Sequence, residues 1–98
     1  SLFATVPVRN CLLNTPSVVT LHDLHIWSMS TLENALTVHV VYDEKLQSAD
    51  ALLTVITESL HHHFDLKHVT VQLESIAYAE GCEMKLKPHY TSSQSLLK

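Results

Sequence analysis

The chain has 98 residues, 46% of them hydrophobic and 16% charged, a length that supports one small globular domain and excludes two. Ten acidic residues against six basic ones give a formal charge of -4 without any basic block, so nucleic acid is not an expected partner. No apolar run approaches the roughly 20 residues that cross a bilayer, which predicts a soluble chain, and the missing initiator Met predicts a fragment of a longer protein.

The first half of the sequence predicts one helix followed by a β-hairpin. A proline suited to a first helical turn, followed by apolar residues at helical spacing, predicts a helix over residues 7–13. Residues 18–29 are rich in Val, Leu, Ile and Thr and predict a strand, and the polar residues 30–34 predict a turn. Residues 35–42 alternate between apolar and polar side chains, which predicts a second strand.

The second half predicts a longer helix, a third strand and a tail. Ser48 stands where it would cap a helix over residues 49–63, and residues 68–75 alternate as a strand does. The apolar stripe expected on this helix consists of Leu52, Val55, Ile56, Leu60 and His63. Beyond Ala79 the sequence is polar and irregular, so we expect one domain over residues 1–79 and a flexible tail over residues 80–98.

The two cysteines, Cys11 and Cys82, are far apart in sequence and form no paired motif. Their spacing predicts free thiols in a reducing compartment. Cys82 and His89 could bring metal ligands from the tail, although tail residues more often have no fixed role.

The order helix, strand, strand, helix, strand predicts an α+β domain, in which a three-stranded sheet carries both helices on one face. The strand residues expected to face the helices are Leu36, Val38, Val40, Val69, Val71 and Leu73. Those expected on the uncovered face are Trp27, Thr37, His39, Val41, His68, Thr70, Gln72 and Glu74. An uncovered sheet face in so small a domain predicts a contact between two copies of the chain.

The residues richest in potential metal ligands lie in the segment His-Asp-Leu-His-Ile-Trp, which begins at His22. Imidazole nitrogens and carboxylates are the usual protein ligands of zinc and related divalent metals. On a regular strand His22 and His25 point to opposite faces, so both bind one ion only if the strand is irregular. The alternative is that one histidine forms a structural hydrogen bond while the other is exposed.

A second candidate site combines His39 on the second strand with Glu74 on the equivalent face of the third. The alternative is a polar sheet surface that is buried against a partner molecule. His68 is a weaker candidate, either for binding a metal or for pairing with a carboxylate across the sheet. We expect Trp27 to be a core or interface anchor rather than a ligand-stacking residue.

The histidine run from His61 to His63 ends the second helix, near the negative pole of the helix dipole. Consecutive positions spread the three side chains around the helix, which favours a capping or solvated role over a ligand site. No motif indicates an enzyme: the sequence has no glycine-rich phosphate loop, no serine nucleophile elbow and no H-E-x-x-H motif.

Three segments of the sequence, residues 16–28, 36–40 and 64–74, resemble the characteristic stretches of the C-terminal cytoplasmic domain of cation diffusion facilitators. These are zinc-type transporters that exchange a metal ion for protons, and the resemblance covers about residues 6–75. It implies a ferredoxin-like, metallochaperone-like domain with the order α-β-β-α-β. It also implies that the domain follows a last transmembrane helix, forms a homodimer and binds regulatory zinc.

The resemblance implies metal ligands at His22, at His39 and at the acidic position Glu74. Gln72 and Lys67 stand where some members have a further histidine, which puts a full two-ion site in doubt. The same ligand types also suit cobalt, nickel, cadmium and iron.

The resemblance and the strand alternation disagree about the first ligand. Strict alternation would bring His25 to the face of His39 and Glu74, whereas the family pattern favours His22. Because His22 lies at the strand entry, where a bulge can rotate it, we expect His22 to be the ligand and keep His25 in reserve.

We therefore expect the cytoplasmic regulatory and dimerisation domain of a zinc or divalent-cation efflux transporter, a cation:proton antiporter, that senses zinc and is not an enzyme. Two alternatives are a constitutive dimerisation module without functional metal binding and a free metal chaperone.

Overall fold

A computed structural model describes the backbone of residues 2–86 and the side chains of residues 4–81. Its elements are α1 (Leu2–Leu13), β1 (Val18–Ser28), β2 (Asn34–Tyr42), α2 (Ala49–Phe64), β3 (His68–Ser75) and α3 (Ile76–Leu86). The first five elements confirm the predicted α-β-β-α-β order. α1 begins earlier than predicted and runs through Pro7, because one missing backbone donor near the start of a helix does not end it. No helix in residues 2–86 has the length and apolar character needed to span a bilayer.

The three strands form one sheet in the order β1-β2-β3. β2 is the central strand, antiparallel to β1 and parallel to β3, and α2 makes the crossover between the two parallel strands. His39 pairs with His22 on one side and with Gln72 on the other. Because residues paired across neighbouring strands share a face, these three lie on one surface of the sheet. We call that surface, which also carries Thr37 and Val41, the outer face.

The opposite surface of the sheet packs against α1 and α2. The residues with at most 1% of their surface exposed there are Val8, Leu12, Leu36, Val38, Val40, Leu52, Ile56 and Leu60. Val69, Val71 and Leu73 pack against this core and are partly buried. The predicted inward-facing residues of β2 and β3 are therefore confirmed, and both helices lie on one face of the sheet as expected.

The buried stripe of α2 is narrower than the sequence predicts. Ser48 caps the helix as expected, since its side-chain oxygen accepts a hydrogen bond from the Ala51 N–H at 3.1 Å. Val55 and His63 are exposed, so their assignment to the stripe is wrong. At about 100° per residue, Val55 lies about 100° from the centre of the stripe. His63 belongs to the last turn of the helix and stays exposed, and Leu66, which follows the helix, joins the core.

The end of the described chain corrects a second expectation. The sequence predicts irregular structure after Ala79, whereas α3 continues to Leu86. Its first turn is capped from two directions: the Ser75 hydroxyl accepts from the Tyr78 N–H at 3.0 Å, and the Glu44 carboxylate accepts from the Ile76 N–H at 3.1 Å. Flexibility over residues 80–98 stays a prediction. Residues 87–98, which include His89, and the Cys82 side chain lie outside the described part.

The outer face is open over only part of its length. Trp27 is 45% exposed and Thr70 is exposed, as predicted, but Val41 is only 6% exposed. Val41 pairs with Glu74, which is also buried, and α3 contacts both β2 and β3. The expectation that Val41 lacks a cover is therefore wrong. The sequence predicts only α1 and α2 against the sheet, whereas α3 also contacts it.

We predict that Ile56→Ala lowers the free energy of unfolding by about 2 to 5 kcal/mol, because the substitution leaves a cavity in the core. Val55→Ala is the matched control, since this neighbouring aliphatic side chain is 43% exposed, and it should cost much less. Urea unfolding followed by far-ultraviolet circular dichroism measures both. Equal losses for the two variants would contradict the assignment of the buried stripe.

Candidate metal centre

A β-bulge in β1 shapes the site. His22 pairs with His39, whereas His25 pairs with Thr37, so three steps along β1 match two steps along β2. Asp23 takes up the extra residue with a φ of 54°, a left-handed conformation that Asp adopts more readily than most residues. The bulge cancels the alternation that would separate the two histidines. Both His22 and His25 consequently lie on the outer face, and the irregularity expected at His22 is present.

The carboxylate of Glu74 lies between two imidazole rings. His22 Nε2 is 3.1 Å from Glu74 Oε1, and His39 Nδ1 is 2.8 Å from Glu74 Oε2. The two ring centroids are 4.8 Å apart. The Gln72 amide also donates to Glu74 Oε2, at 3.0 Å. The structure thus brings together His22, His39 and Glu74, one from each strand, at the same end of the outer face.

Asp23 adds a second carboxylate to this cluster. Its Oδ2 atom is 3.2 Å from His22 Nδ1, and His22, Asp23 and His39 each offer one ligand atom within 4.8 Å of the others. Asp23 is not among the ligands expected from the sequence. Its place between the two histidines of the first motif was the available signal, but only the bulge directs its carboxylate toward His22.

His22 has a carboxylate on each ring nitrogen, which makes its environment strongly negative. A neutral imidazole has a single N–H and can donate to only one of two acceptors. The second contact becomes favourable when a positive charge lies between the groups, either on the ring or as a bound cation. Among the described residues, the ion pairs of Glu74 are with histidines and none is with Lys or Arg.

Burial and hydrogen bonding act in opposite directions on Glu74. Desolvation of its side chain, which is 8% exposed, raises the pKa of the carboxyl group. The hydrogen bonds from His39 and His22, together with the charges of these rings, outweigh burial and hold the pKa of Glu74 below its ordinary value of 4.5. Glu74 therefore remains an anion at neutral pH, which is the form that a metal ligand requires.

The donor atoms already have spacings close to those of a metal site. A tetrahedral zinc ion with ligand bonds of about 2.0 to 2.1 Å holds neighbouring ligand atoms about 3.3 Å apart. The three nitrogen-to-oxygen contacts in this cluster are 2.8 to 3.2 Å long. Two imidazoles and two carboxylates suit zinc and other borderline divalent cations. One ion can take only one nitrogen of His22, either Nε2, which faces Glu74, or Nδ1, which faces Asp23.

The other candidate residues do not join this cluster. His25 is exposed and pairs with Thr37, nearer the hairpin end of β1. His68 lies at the start of β3, where its Nε2 contacts Glu33 Oε1 at 3.1 Å, and both side chains are about half exposed. Lys67 contacts Asp65 at 3.7 Å. The structure therefore selects His22 rather than His25 as the neighbour of His39.

The sequence model of the family described as "Cation efflux protein, cytoplasmic domain" matches residues 5–76. The chain belongs to this family, which consists of cytoplasmic domains of cation efflux transporters and not of enzymes. The resemblance drawn from the three sequence segments is thereby confirmed.

Two relatives illustrate the match. The metal cation efflux system protein CzcD of Cupriavidus metallidurans is 36% identical over 90 residues, which cover 92% of this chain and 28% of that protein. The proton-coupled zinc antiporter SLC30A2 of Rattus norvegicus is 35% identical over 68 residues, which cover 69% of this chain and 19% of that protein. The chain thus spans less than a third of the length of these relatives.

A solved structure supports the same assignment. The metal-bound C-terminal domain of the CzcD transporter from Cupriavidus metallidurans matches with a TM-score of 0.64 and 40% sequence identity. The match covers 69% of this chain and 93% of that one. The predicted α+β architecture, with its metallochaperone-like order of elements, is therefore confirmed by a related domain.

We predict that Glu74→Gln reduces the loss of stability on the acid side. Because the folded protein lowers the pKa of Glu74, its stabilising contribution is complete above the ordinary value of 4.5 and disappears as the pH falls below it. The parent protein should lose stability more steeply below pH 4.5 than the Gln variant. Urea midpoints measured at several pH values test this. Glu33→Gln, at an exposed carboxylate that also contacts a histidine, is the control and should keep the parent slope.

Proposed function

We propose that this chain is the regulatory and dimerisation domain of a zinc or divalent-cation efflux transporter that exchanges its cation for protons, and that the domain senses zinc. The observation that carries the proposal is the buried Glu74 carboxylate, which lies between His22 and His39 at 3.1 and 2.8 Å. The metal-bound state named for the related CzcD domain supports it.

The proposed ligands are His22, His39 and Glu74, while Asp23 contacts the other nitrogen of His22 and orients that ring. Because β1, β2 and β3 each supply one of the first three, an ion at this position ties the three strands together at one end of the outer face. Zinc is the favoured ion for two imidazoles with a carboxylate, and cobalt, nickel, cadmium and iron are the alternatives.

The proposed partner is a second copy of the same chain. The outer face exposes Trp27, His25 and Thr70, which the helices leave uncovered. A two-fold contact between two such faces buries the same residues from both copies. Since the metal ligands lie at the end of this face, zinc that binds one arrangement of the protomers more tightly shifts the population toward it. The transport domain would respond to that arrangement.

Two other functions make different predictions. A constitutive dimerisation module would remain a dimer in the presence of a chelator and would release no heat on addition of zinc. A free metal chaperone would be a short complete protein, whereas a transporter domain belongs to a chain several times longer, as in the relatives that it matches. Calorimetric zinc titration, combined with measurement of oligomeric state with and without chelator, distinguishes the first alternative. The length of the complete protein distinguishes the second.

We predict that zinc at about 100 times its dissociation constant stabilises the domain by about 2.7 kcal/mol. His39→Ala combined with Glu74→Ala should abolish this gain while the fold survives, because both side chains lie on the outer face. His68→Ala combined with Glu33→Ala is the matched control, since it removes another histidine–glutamate pair from the sheet, and it should keep the gain. Unfolding measured with and without zinc shows whether each double variant keeps the gain in stability. A full zinc effect in the first double variant would place the ligands elsewhere.

We also predict that zinc affinity falls more than about tenfold between pH 7 and pH 5, because a metal-bound imidazole nitrogen must give up the proton that free imidazole takes up near pH 6.5. Protons compete with the ion, so acid weakens binding. Titration calorimetry at pH 7, 6 and 5 measures the change. A constant affinity over this range would exclude histidine ligands.

A further inference from the structure

The last two turns of α2 carry ligand-type side chains on their solvent face. Glu58, His61 and His62 are all exposed. Spacings of three and four residues bring them to one side of the helix, and at about 100° per residue this side is nearly opposite the buried stripe. The three side chains border the same open groove, with Val55, Ser59 and His63 beside them. They therefore have no part in the core and share one solvent-exposed side of the helix.

The donor atoms of this group are available. Within the described part of the chain, no side-chain hydrogen bond or ion pair involves Glu58, His61 or His62. The ring contact of His62 is with the edge of His63, at a centroid distance of 5.2 Å, and it leaves the ring nitrogens unused. This contrasts with His22 and His39, each of which has a nitrogen engaged by the Glu74 carboxylate.

The position of the group on the helix favours a cation. α2 ends at Phe64, and Asp65 follows in the left-handed conformation. The final carbonyl groups of a helix have no partner within it and form the negative pole of the helix dipole. A positive ion near His61 and His62 is stabilised by these carbonyl dipoles as well as by the Glu58 carboxylate. The formal charge of -4 on the chain acts in the same direction.

We propose that Glu58, His61 and His62 form a second divalent-cation site, which takes zinc or nickel with water completing the coordination. The site is independent of the one at Glu74, because α2 covers the opposite face of the sheet. The first site also lies near the end of β3, whereas α2 ends shortly before β3 begins, and the six steps along β3 from His68 to Glu74 span about 20 Å.

This second site is the weaker of the two. The ligand atoms of His22, Asp23 and His39 are already within 4.8 Å of one another, whereas the exposed side chains on α2 have to adopt a common arrangement when an ion binds. Ordering long or aromatic side chains costs conformational entropy, which reduces affinity. Three ligands from one helix also leave coordination positions to water, so the ion exchanges readily. The site fills when the free cation exceeds the level that saturates the centre at Glu74.

The test uses the chain with His39→Ala and Glu74→Ala, so that the first site is absent. Nickel or zinc salts are titrated while the imidazole nitrogen signals of the histidines are followed by NMR, with calorimetry for affinity. We expect the signals of His61 and His62 to respond, with one ion bound per chain.

In the same background, His61→Ala combined with His62→Ala should lower the affinity for the cation more than about tenfold. Loss of a residue that only hydrogen-bonds to a metal ligand already costs about tenfold, and these two residues are proposed as ligands themselves. Glu58→Gln, which keeps the shape but removes the charge, should also weaken binding. His68→Ala is the control, because His68 is an exposed histidine of β3 that does not border this groove, and it should leave affinity unchanged. An unaltered affinity in the His61/His62 variant, or an equal loss in His68→Ala, would overturn the proposal. Neither result depends on whether the centre at Glu74 binds metal.

Discussion

The burial of the Glu74 carboxylate is the constraint on which the polar end of the sheet depends. An ionised carboxylate that loses most of its contact with water is stable only when hydrogen-bond donors or charges replace that water. Here the replacement comes from His22, His39 and Gln72, which reach the carboxylate from all three strands. The same contacts that make Glu74 tolerable inside the protein arrange the donors of a metal centre. Stability of the sheet end and ligand geometry are thus two consequences of one arrangement.

The bulge at Asp23 is what allows this arrangement. Without the extra residue, strict alternation would put His22 and His25 on opposite faces of the sheet. Asp23 has two features that come from this bulge: its backbone is left-handed, and its side chain contacts His22. A strained or irregular residue in the middle of a strand commonly marks a functional position. In this domain it lets His22 share the outer face with His39 and Glu74 while His25 stays on that face as well.

The two faces of the sheet contribute differently to stability and to the candidate metal centre. The inner face, with Leu36, Val38 and Val40 against both helices, supplies the buried apolar area that stabilises a small domain. The outer face contributes little to this core and carries histidines and carboxylates along its length. The pair of His68 and Glu33 shows that such contacts also occur where the side chains remain half exposed. The cluster at Glu74 differs from the pair of His68 and Glu33 in its burial, in the number of its donors and in the bulge beside it. The presence of histidine is common to both.

The amino-acid sequence alone predicts the order of the five principal elements, the inward residues of β2 and β3, and the common face of His39 and Glu74. Alternation is a property of one strand alone, because successive side chains point to opposite faces of the sheet. It can therefore be recognised in the sequence of that strand. The remaining features depend on contacts between segments that are distant in the chain. Whether His22 or His25 meets His39 depends on the register between β1 and β2, which is set by backbone hydrogen bonds between residues distant in sequence. The role of Asp23 depends on the same bulge, and α3 depends on a cap from Glu44, which lies 32 residues earlier in the chain.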